Sequence, residues 1–266
     1  MSTNIACSKV PPALCKVCEG PSAFFGDAKV LRKYTVQYHR CDRCGFIQTE
    51  VPYWLEEAYS SAIATSDVGI MQRNLVNCEI TSAVLNLLFS GVNQCLDFGA
   101  GHGVLVRLMR DRGFSFFWSD LHAANDYARG FERQDGATYD FLTAFEVLEH
   151  MADPISGLNE LMSLSENVLV STLPVPEPAP ALPDWWYYSP TSGQHISFYT
   201  IESLRHLATR FGRHLLSVGC YHLLSTKPQN RLLFRLAASF RMAKVVNSMY
   251  HRTGLIENDH QQMTRE

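Results

Sequence analysis

Residues 95–103 read Cys-Leu-Asp-Phe-Gly-Ala-Gly-His-Gly, and this stretch constrains the fold more than any other. An apolar segment closes on an acid, Asp97, and turns through Gly99, Gly101 and Gly103. It then enters Val104-Leu105-Val106-Arg107-Leu108-Met109-Arg110, whose apolar spacing is helical. A second apolar segment, Phe114-Ser115-Phe116-Phe117-Trp118-Ser119, delivers Asp120. Strand, glycine turn, helix and a second strand ending in an acid describe a βαβ unit, and such units build parallel sheets. Glycines let the backbone approach a ligand where a Cβ would collide. An acid closing the second strand is placed to accept hydrogen bonds from two ribose hydroxyls.

Two ligands suit that geometry, a dinucleotide or S-adenosylmethionine (SAM). Dinucleotide turns favour Gly-x-Gly-x-x-Gly, with a helix N-terminus on the pyrophosphate. Here the order is Asp-x-Gly-x-Gly-x-Gly. A buried acid ahead of the turn suits the ammonium of an amino-acid moiety and would repel a pyrophosphate. The pattern resembles motif I of class I SAM-dependent methyltransferases. The bland alternative is a tight strand-to-helix turn in an unrelated α/β protein.

Further apolar runs predict strands near 94–98, 115–119, 140–145 and 167–172, with a terminal pair around 214–225. Helices are expected near 103–112, 154–163 and 201–210, the last with Thr200 as N-cap and Glu202 in its first turn. An amphipathic helix over 77–88 precedes the first strand. The fold class is therefore α/β, a Rossmann-like doubly wound and mostly parallel sheet with a small N-terminal module. The expected divisions are a module over 1–50, a helical lead-in over 51–92, a core over 93–226 and a basic C-terminal helix and tail over 227–266. The proline-rich stretch 174–183 is a stiff loop on the ligand-binding side of the sheet.

Cys15-x2-Cys18 and Cys41-x2-Cys44, with a 22-residue gap, can each place two thiolates on a tight knuckle, and two knuckles complete a tetrahedral zinc shell. Glu19-Gly20 and Gly45 follow the pairs, where a knuckle needs backbone freedom. Residues 29–38 between them partly alternate like a strand. With no open position evident, the zinc is read as structural, and a redox role for the pairs is the weaker reading. Cys7, Cys78, Cys95 and Cys220 read as a tail thiol and core residues.

The segment Tyr139-Asp140-Phe141-Leu142-Thr143-Ala144-Phe145-Glu146-Val147-Leu148-Glu149-His150-Met151-Ala152-Asp153-Pro154 is similar to the post-strand motif of class I methyltransferases of the ubiquinone-biosynthesis-like type. A four-cysteine module before such a core resembles the sugar C-methyltransferases. By this resemblance Asp97, Gly99 and Gly101 line the methionine end of SAM, Asp120 holds the ribose and Leu121 packs on adenine. Phe145 and Glu146 border the methyl-donor end. Residues 127–132 fall where the family's third strand runs, but the segment is too short for residues there to be assigned.

Methyl transfer to a hydroxyl or acidic carbon needs a base, which singles out His150 and His195. His195 follows Gly193-Gln194 beside Trp185-Trp186-Tyr187-Tyr188, an aromatic cluster that reads either as a sugar- or ring-binding wall or as a packing lid. Otherwise His195 is a structural loop residue, and His150 orients its loop or caps the helix at Pro154. Glu149 reads as structural before catalytic.

Charge narrows the acceptor. Residues 51–200 hold 6 Lys/Arg against 18 Asp/Glu, whereas 201–266 hold 10 against 4. An acidic centre repels RNA unless the basic ends turn toward it, so a small-molecule acceptor is expected over RNA, and the resemblance to sugar C-methyltransferases, with the aromatic Gly-Gln-His loop, implies a sugar of a nucleotide-linked or polysaccharide pathway. A zinc-bearing module that binds SAM without turnover is the non-enzymatic alternative. Arg231, Arg235, Arg241 and Lys244 interleave with Leu232, Leu233, Phe234, Leu236 and Phe240, a basic amphipathic helix read as a packing or homodimer helix before a membrane anchor. The start lacks a signal-peptide apolar region and no run is long enough to span a bilayer, so a cytoplasmic protein is expected.

Overall fold

The computed structural model describes residues 13–60, 67–182 and 184–265. Cys7 and Pro183 lie outside the described residues. The chain opens with four antiparallel strands, β1 (Ala13–Leu14), β2 (Pro21–Val30), β3 (Tyr34–Cys41) and β4 (Ile47–Thr49). The alternating run over 29–38 is not one strand. Leu31 and Arg32 take φ of 51° and 58°, and the chain reverses there into the β2–β3 hairpin. A short α1 (Leu55–Ala58) and the long α2 (Ile70–Leu88) lead to the core.

The core strands are β5 (Cys95–Phe98), β6 (Phe116–Ser119), β7 (Phe141–Phe145) and β8 (Asn167–Ser171), each within a residue of its expected bounds. Helices α3 (Val104–Asp111) and α4 (Pro154–Leu164) follow β5 and β7. Asp153 caps α4 by accepting hydrogen bonds from the Ile155 and Ser156 amides, with Pro154 in the first turn. β9 (Ser197–Phe198) pairs with β4 and so joins the N-terminal sheet from the far side of the core. α5 (Ile201–Arg210) follows, capped by Thr200 in a capping box with Ser203 and with Glu202 in its first turn. β10 (His214–Val218) and β11 (Tyr221–Ser225) complete a six-stranded sheet of order β10-β11-β8-β7-β5-β6. Pairs among β5 to β8 are parallel, and β11 lies antiparallel to β8. Where the third strand would lie, Glu132 makes only an isolated bridge to Trp118.

Both faces of the sheet are buried, and the alternation of side chains divides them. Leu96, Leu142, Ala144, Val168 and Val170 pack toward α4 and α5. Cys95, Phe141, Leu169 and Leu223 pack with the residues of α2 and α3. Cys78 and Cys95 are buried core residues, while Cys220 is half-buried.

The C-terminal region is three helices, not one: α6 (Arg231–Ala237), α7 (Phe240–Ser248) and α8 (Ile256–Met263). Ser239 has extended φ/ψ and breaks the expected run. Phe234, Ala237, Ala243 and Val246 are buried against the core, and Arg231, Arg235, Arg241 and Lys244 face outward. α8 is held by a buried ion pair absent from the sequence reading. Arg110 donates through Nε and Nη2 to the Asp259 carboxylate at 2.8 and 2.6 Å, and Arg107 adds a third bond at 2.8 Å. No helix among the described residues is long and apolar enough to cross a membrane. Asp259→Ala strands the Arg110 guanidinium, which is 5 % exposed. It should cost about 3–5 kcal/mol in urea denaturation, whereas Arg205→Ala on the surface should cost under about 1 kcal/mol.

Candidate active site

A cavity of about 530 Å³ opens at the C-terminal ends of β5, β6 and β7, where open α/β sheets bind ligands. Its lining includes Asp97, Gly99, Gly101, Asp120, Phe145, Glu146, His150 and His195, so the fold collects these sequence-predicted residues at one place. Leu121 is not among them; it is 88 % exposed, and its neighbours His122 and Ala123 line the cavity instead.

The glycine turn is tied to the end of β6. The Gly99 and Ala100 amides donate to the Ser119 carbonyl, and the Trp118 indole donates to the Gly101 carbonyl at 2.7 Å. A Cβ on Gly99 (φ +70°) would stand 2.5 Å from Val147, whereas one on Gly101 (φ +52°) would meet nothing within 4 Å. Gly101 therefore presents open backbone to the cavity, while Gly99 serves close packing within the protein. Asp97 is 4 % exposed and accepts the Thr143 hydroxyl at 2.6 Å. Burial pushes its carboxyl up to about 7, against the Thr143 hydrogen bond, which favours the anion.

Asp120 is more committed to the backbone than expected. Its Oδ1 accepts from the His122 and Ala123 amides at 2.7 and 2.8 Å, and Oδ2 accepts from the Gly101 amide at 2.8 Å. A carboxylate has about four acceptor sites, so roughly one remains for a ligand hydroxyl, where the sequence suggested a pair.

The other wall is acidic and buried. Glu146 takes φ +54°, a left-handed conformation costing about 1–2 kcal/mol for a residue with a Cβ. The Ser171 carbonyl and hydroxyl hold its amide at 3.2 and 3.0 Å. Burial, together with the nearby Glu149 charge, pushes the Glu146 carboxyl up to about 8. Glu149 is fully buried and accepts the Tyr187 hydroxyl at 2.5 Å; its carboxyl too is raised by burial.

Both histidines border this wall, their rings 4.9 Å apart edge to face. His195 Nδ1 lies 2.7 Å from the Tyr187 carbonyl. His150 Nδ1 lies 3.1 Å from the Gln194 carbonyl and 2.9 Å from the Tyr59 hydroxyl. A carbonyl only accepts, which assigns the proton to Nδ1 of His195 and its lone pair to Nε2, whereas His150 Nδ1 stands between a carbonyl that accepts and a hydroxyl that can donate. Burial lowers both imidazoles, His150 to about 3, so both are neutral at physiological pH. The aromatic cluster divides between its two readings. Trp185, Tyr187 and Tyr188 are buried, and Trp186 is 75 % exposed on the cavity lining.

Tyr59, Asp67, Arg73, Asn74 and Asn77 also line the cavity and come from the lead-in to the core. Arg73 clamps Asp67 through Nη1 and Nη2 at 2.7 and 2.5 Å. None of these was read as a site residue from the sequence.

Away from the cavity, the four cysteines converge. Cys15 Sγ lies 3.6 Å from Cys44 Sγ and Cys18 Sγ 3.4 Å from Cys41 Sγ, all four as free thiols. These separations approach the ~3.8 Å edge of a tetrahedron with ~2.3 Å metal–sulfur bonds. Amides of Val17, Arg43 and Cys44 point at the sulfurs, and Glu19 and Gly45 take φ of 60° and 69° to close the knuckles. The Thr200 hydroxyl donates to the Cys44 carbonyl, linking the knuckle to the start of α5.

No curated protein sequence matches the chain. Among solved structures, an O-methyltransferase family protein from Burkholderia thailandensis is 16 % identical with a TM-score of 0.45, over 64 % of this chain and 66 % of that one. The plantazolicin methyltransferase in complex with SAH is 11 % identical, TM-score 0.43, over 66 % of this chain and 98 % of that one. Magnesium protoporphyrin IX methyltransferase from Synechocystis with bound SAM is 15 % identical, TM-score 0.39, over 65 % and 90 %. This chain thus spans about two thirds of the first and most of the other two. A methyltransferase domain family matches residues 71–218, more than half the chain and the elements from α2 to β10 that supply most of the cavity lining. The chain belongs to that methyltransferase domain family.

Proposed function

We propose that this enzyme methylates a small-molecule acceptor, a sugar of a nucleotide-linked or polysaccharide pathway. The observation that carries this reading is a cavity of about 530 Å³ with an acidic, Asp97 end and an imidazole, His150–His195 end. It is of the size that encloses a cofactor and a small partner, within the range of about 300–1,000 Å³ for such sites. SAM, when bound, supplies an electrophilic methyl group on a sulfonium. Asp97 meets the ammonium of its methionine end, the open face of Gly101 admits its backbone-hugging portion, and Asp120 takes one ribose hydroxyl. Phe145 and Glu146 border the methyl group, and His150 and His195 hold the acceptor and govern its proton. Trp186 at the rim offers the flat apolar face on which a sugar ring stacks.

The four cysteines are proposed to bind a structural Zn2+ with no position open to substrate. By charge, the cavity disfavours RNA: its lining carries Asp67, Asp97 and Asp120 against Arg73. The outward Leu232, Val245 and Met249 are the apolar residues through which a homodimer would form.

Incubating the protein with methyl-labelled SAM and cell extract should place label in the small-molecule fraction; nuclease-released label from RNA would overturn the acceptor reading. The Asp97 carboxyl must ionise to meet an ammonium, and its folded value is about 7. SAM affinity should therefore rise as pH increases through that value and level off above it. Calorimetry at about pH 6 and about pH 8 should show the slope in the native protein and its loss in Asp97→Asn. Cys41→Ser should lose zinc by mass spectrometry and lower the melting temperature; a variant that keeps both would refute the structural ion.

A further inference from the structure

Glu149, His150 and His195 each bring one ligand atom to within 4.8 Å of the other two. We propose that these three side chains bind a divalent first-row transition ion at the acceptor end of the cavity, separate from the ion of the four cysteines. The inference rests on the methyltransferase reading of the cavity and names how the acceptor is held in it.

The histidines are oriented as metal-bound histidines are. Metal-ligating imidazoles characteristically donate their second ring nitrogen to a carbonyl or carboxylate, which sets the tautomer and aims the free lone pair. His195 Nδ1 has the Tyr187 carbonyl at 2.7 Å, and His150 Nδ1 has the Gln194 carbonyl at 3.1 Å. His195 is thus tied off at Nδ1 with its Nε2 lone pair left over, and the His150 ring stands beside it at 4.9 Å. A pair of hydrogen-bonding histidines would instead have one ring donating to the other.

The carboxylate supplies the independent observation. Glu149 Oε1 is taken by the Tyr187 hydroxyl, while Oε2 is buried with no hydrogen-bond partner among the described residues. A buried carboxylate oxygen without a donor calls for an explanation, and a cation beside it is the ordinary one. Two imidazoles and one carboxylate form a donor set that suits Zn2+, Mn2+, Fe2+ or Co2+ rather than Ca2+ or Mg2+, which favour all-oxygen shells. Ligands about 2.1 Å from one ion stand roughly 3.0–3.5 Å apart, so the three groups need to close by about an ångström. His150 and His195 both line the cavity, so the remaining coordination positions face it. The fitting acceptor is one that offers a hydroxyl, or two neighbouring hydroxyls, as ligands. Bound there, the acceptor oxygen is both positioned and acidified.

The test is metal content of the full-length protein dialysed against zinc and then cobalt. Thiolate-bound Co2+ shows intense sulfur-to-metal charge transfer; Co2+ on two imidazoles and a carboxylate shows only weak visible bands. The expected result is a full equivalent of metal beyond that held by the cysteines, with the weak bands, and its loss in His195→Ala. His150→Gln provides a second variant should the first misfold, and unchanged SAM affinity shows that the cavity is intact. Cobalt of the thiolate type alone, or equal metal content in native protein and variants, would overturn the proposal. Labelled transfer measured on the same samples separates the two readings. Transfer without the additional ion removes the metal site and leaves the acceptor reading standing. A bound ion without transfer to any small molecule leaves the metal site standing and removes the acceptor reading.

Discussion

The pairing of β4 with β9 spans two residues a side, Ile47 with Phe198 and Gln48 with Ser197, yet the site depends on it. It anchors the segment 193–200, which is bonded on both flanks. Toward the N-terminal region, the Trp54 indole donates to the Gly193 carbonyl and the Gln194 amide to the Ala58 carbonyl. Toward the core, the Ile196 amide donates to the Glu149 carbonyl, the Ser197 hydroxyl to Met151 and the Tyr199 hydroxyl to Leu148. His195 is thereby set against His150 from two directions. A cysteine knuckle that is rigid at one end of this strap transmits its geometry to the histidine at the other, through the Thr200–Cys44 contact and the short sheet. Such fixed positioning is what an in-line transfer requires, because small misplacements of the reacting groups cost rate steeply.

Burial of charge is the second organising constraint. Asp97, Glu146 and Glu149 all lie where water is scarce, and each carboxyl is raised as a consequence. A cluster of this kind is costly in isolation and is retained where cations arrive. In the proposed reading, the ammonium and sulfonium of SAM are such cations at one end. At the other, no lysine or arginine reaches Glu149 among the described ion pairs, and its neighbours include the Tyr187 phenol and the Glu146 carboxyl. The left-handed backbone at Glu146 belongs to the same design, since strain at a ligand-facing residue persists only where its surroundings hold it.

Much of the fold was legible because local chemistry and period agreed. The β5 turn, the Asp153-Pro154 cap, the Thr200 cap and the strands of the parallel sheet are each set by residues within a few positions of one another. The site was legible to the extent that it lies on these elements: Asp97, Gly101, Phe145, Glu146 and His150 sit at strand ends or the turns after them. Leu121 failed because the Asp120 carboxylate gathers the amides of residues 122 and 123, turning the loop so that the neighbouring side chains face the cavity. Tyr59, Arg73 and Asn77 were missed because their placement depends on how α1 and α2 dock, which leaves no periodic trace.

The sequence by itself determined the βαβ core and the four-cysteine cluster, because each follows from short-range spacing and the backbone freedom of particular residues. Only the tertiary structure decided that β9 crosses to the N-terminal sheet, that Asp259 clamps Arg110, and that Glu149, His150 and His195 converge. Apart from the adjacent Glu149 and His150, those contacts join residues 45 to 151 positions apart in the chain. Their partners are selected by the packing of whole elements and by the need to satisfy buried charge, which no local pattern records.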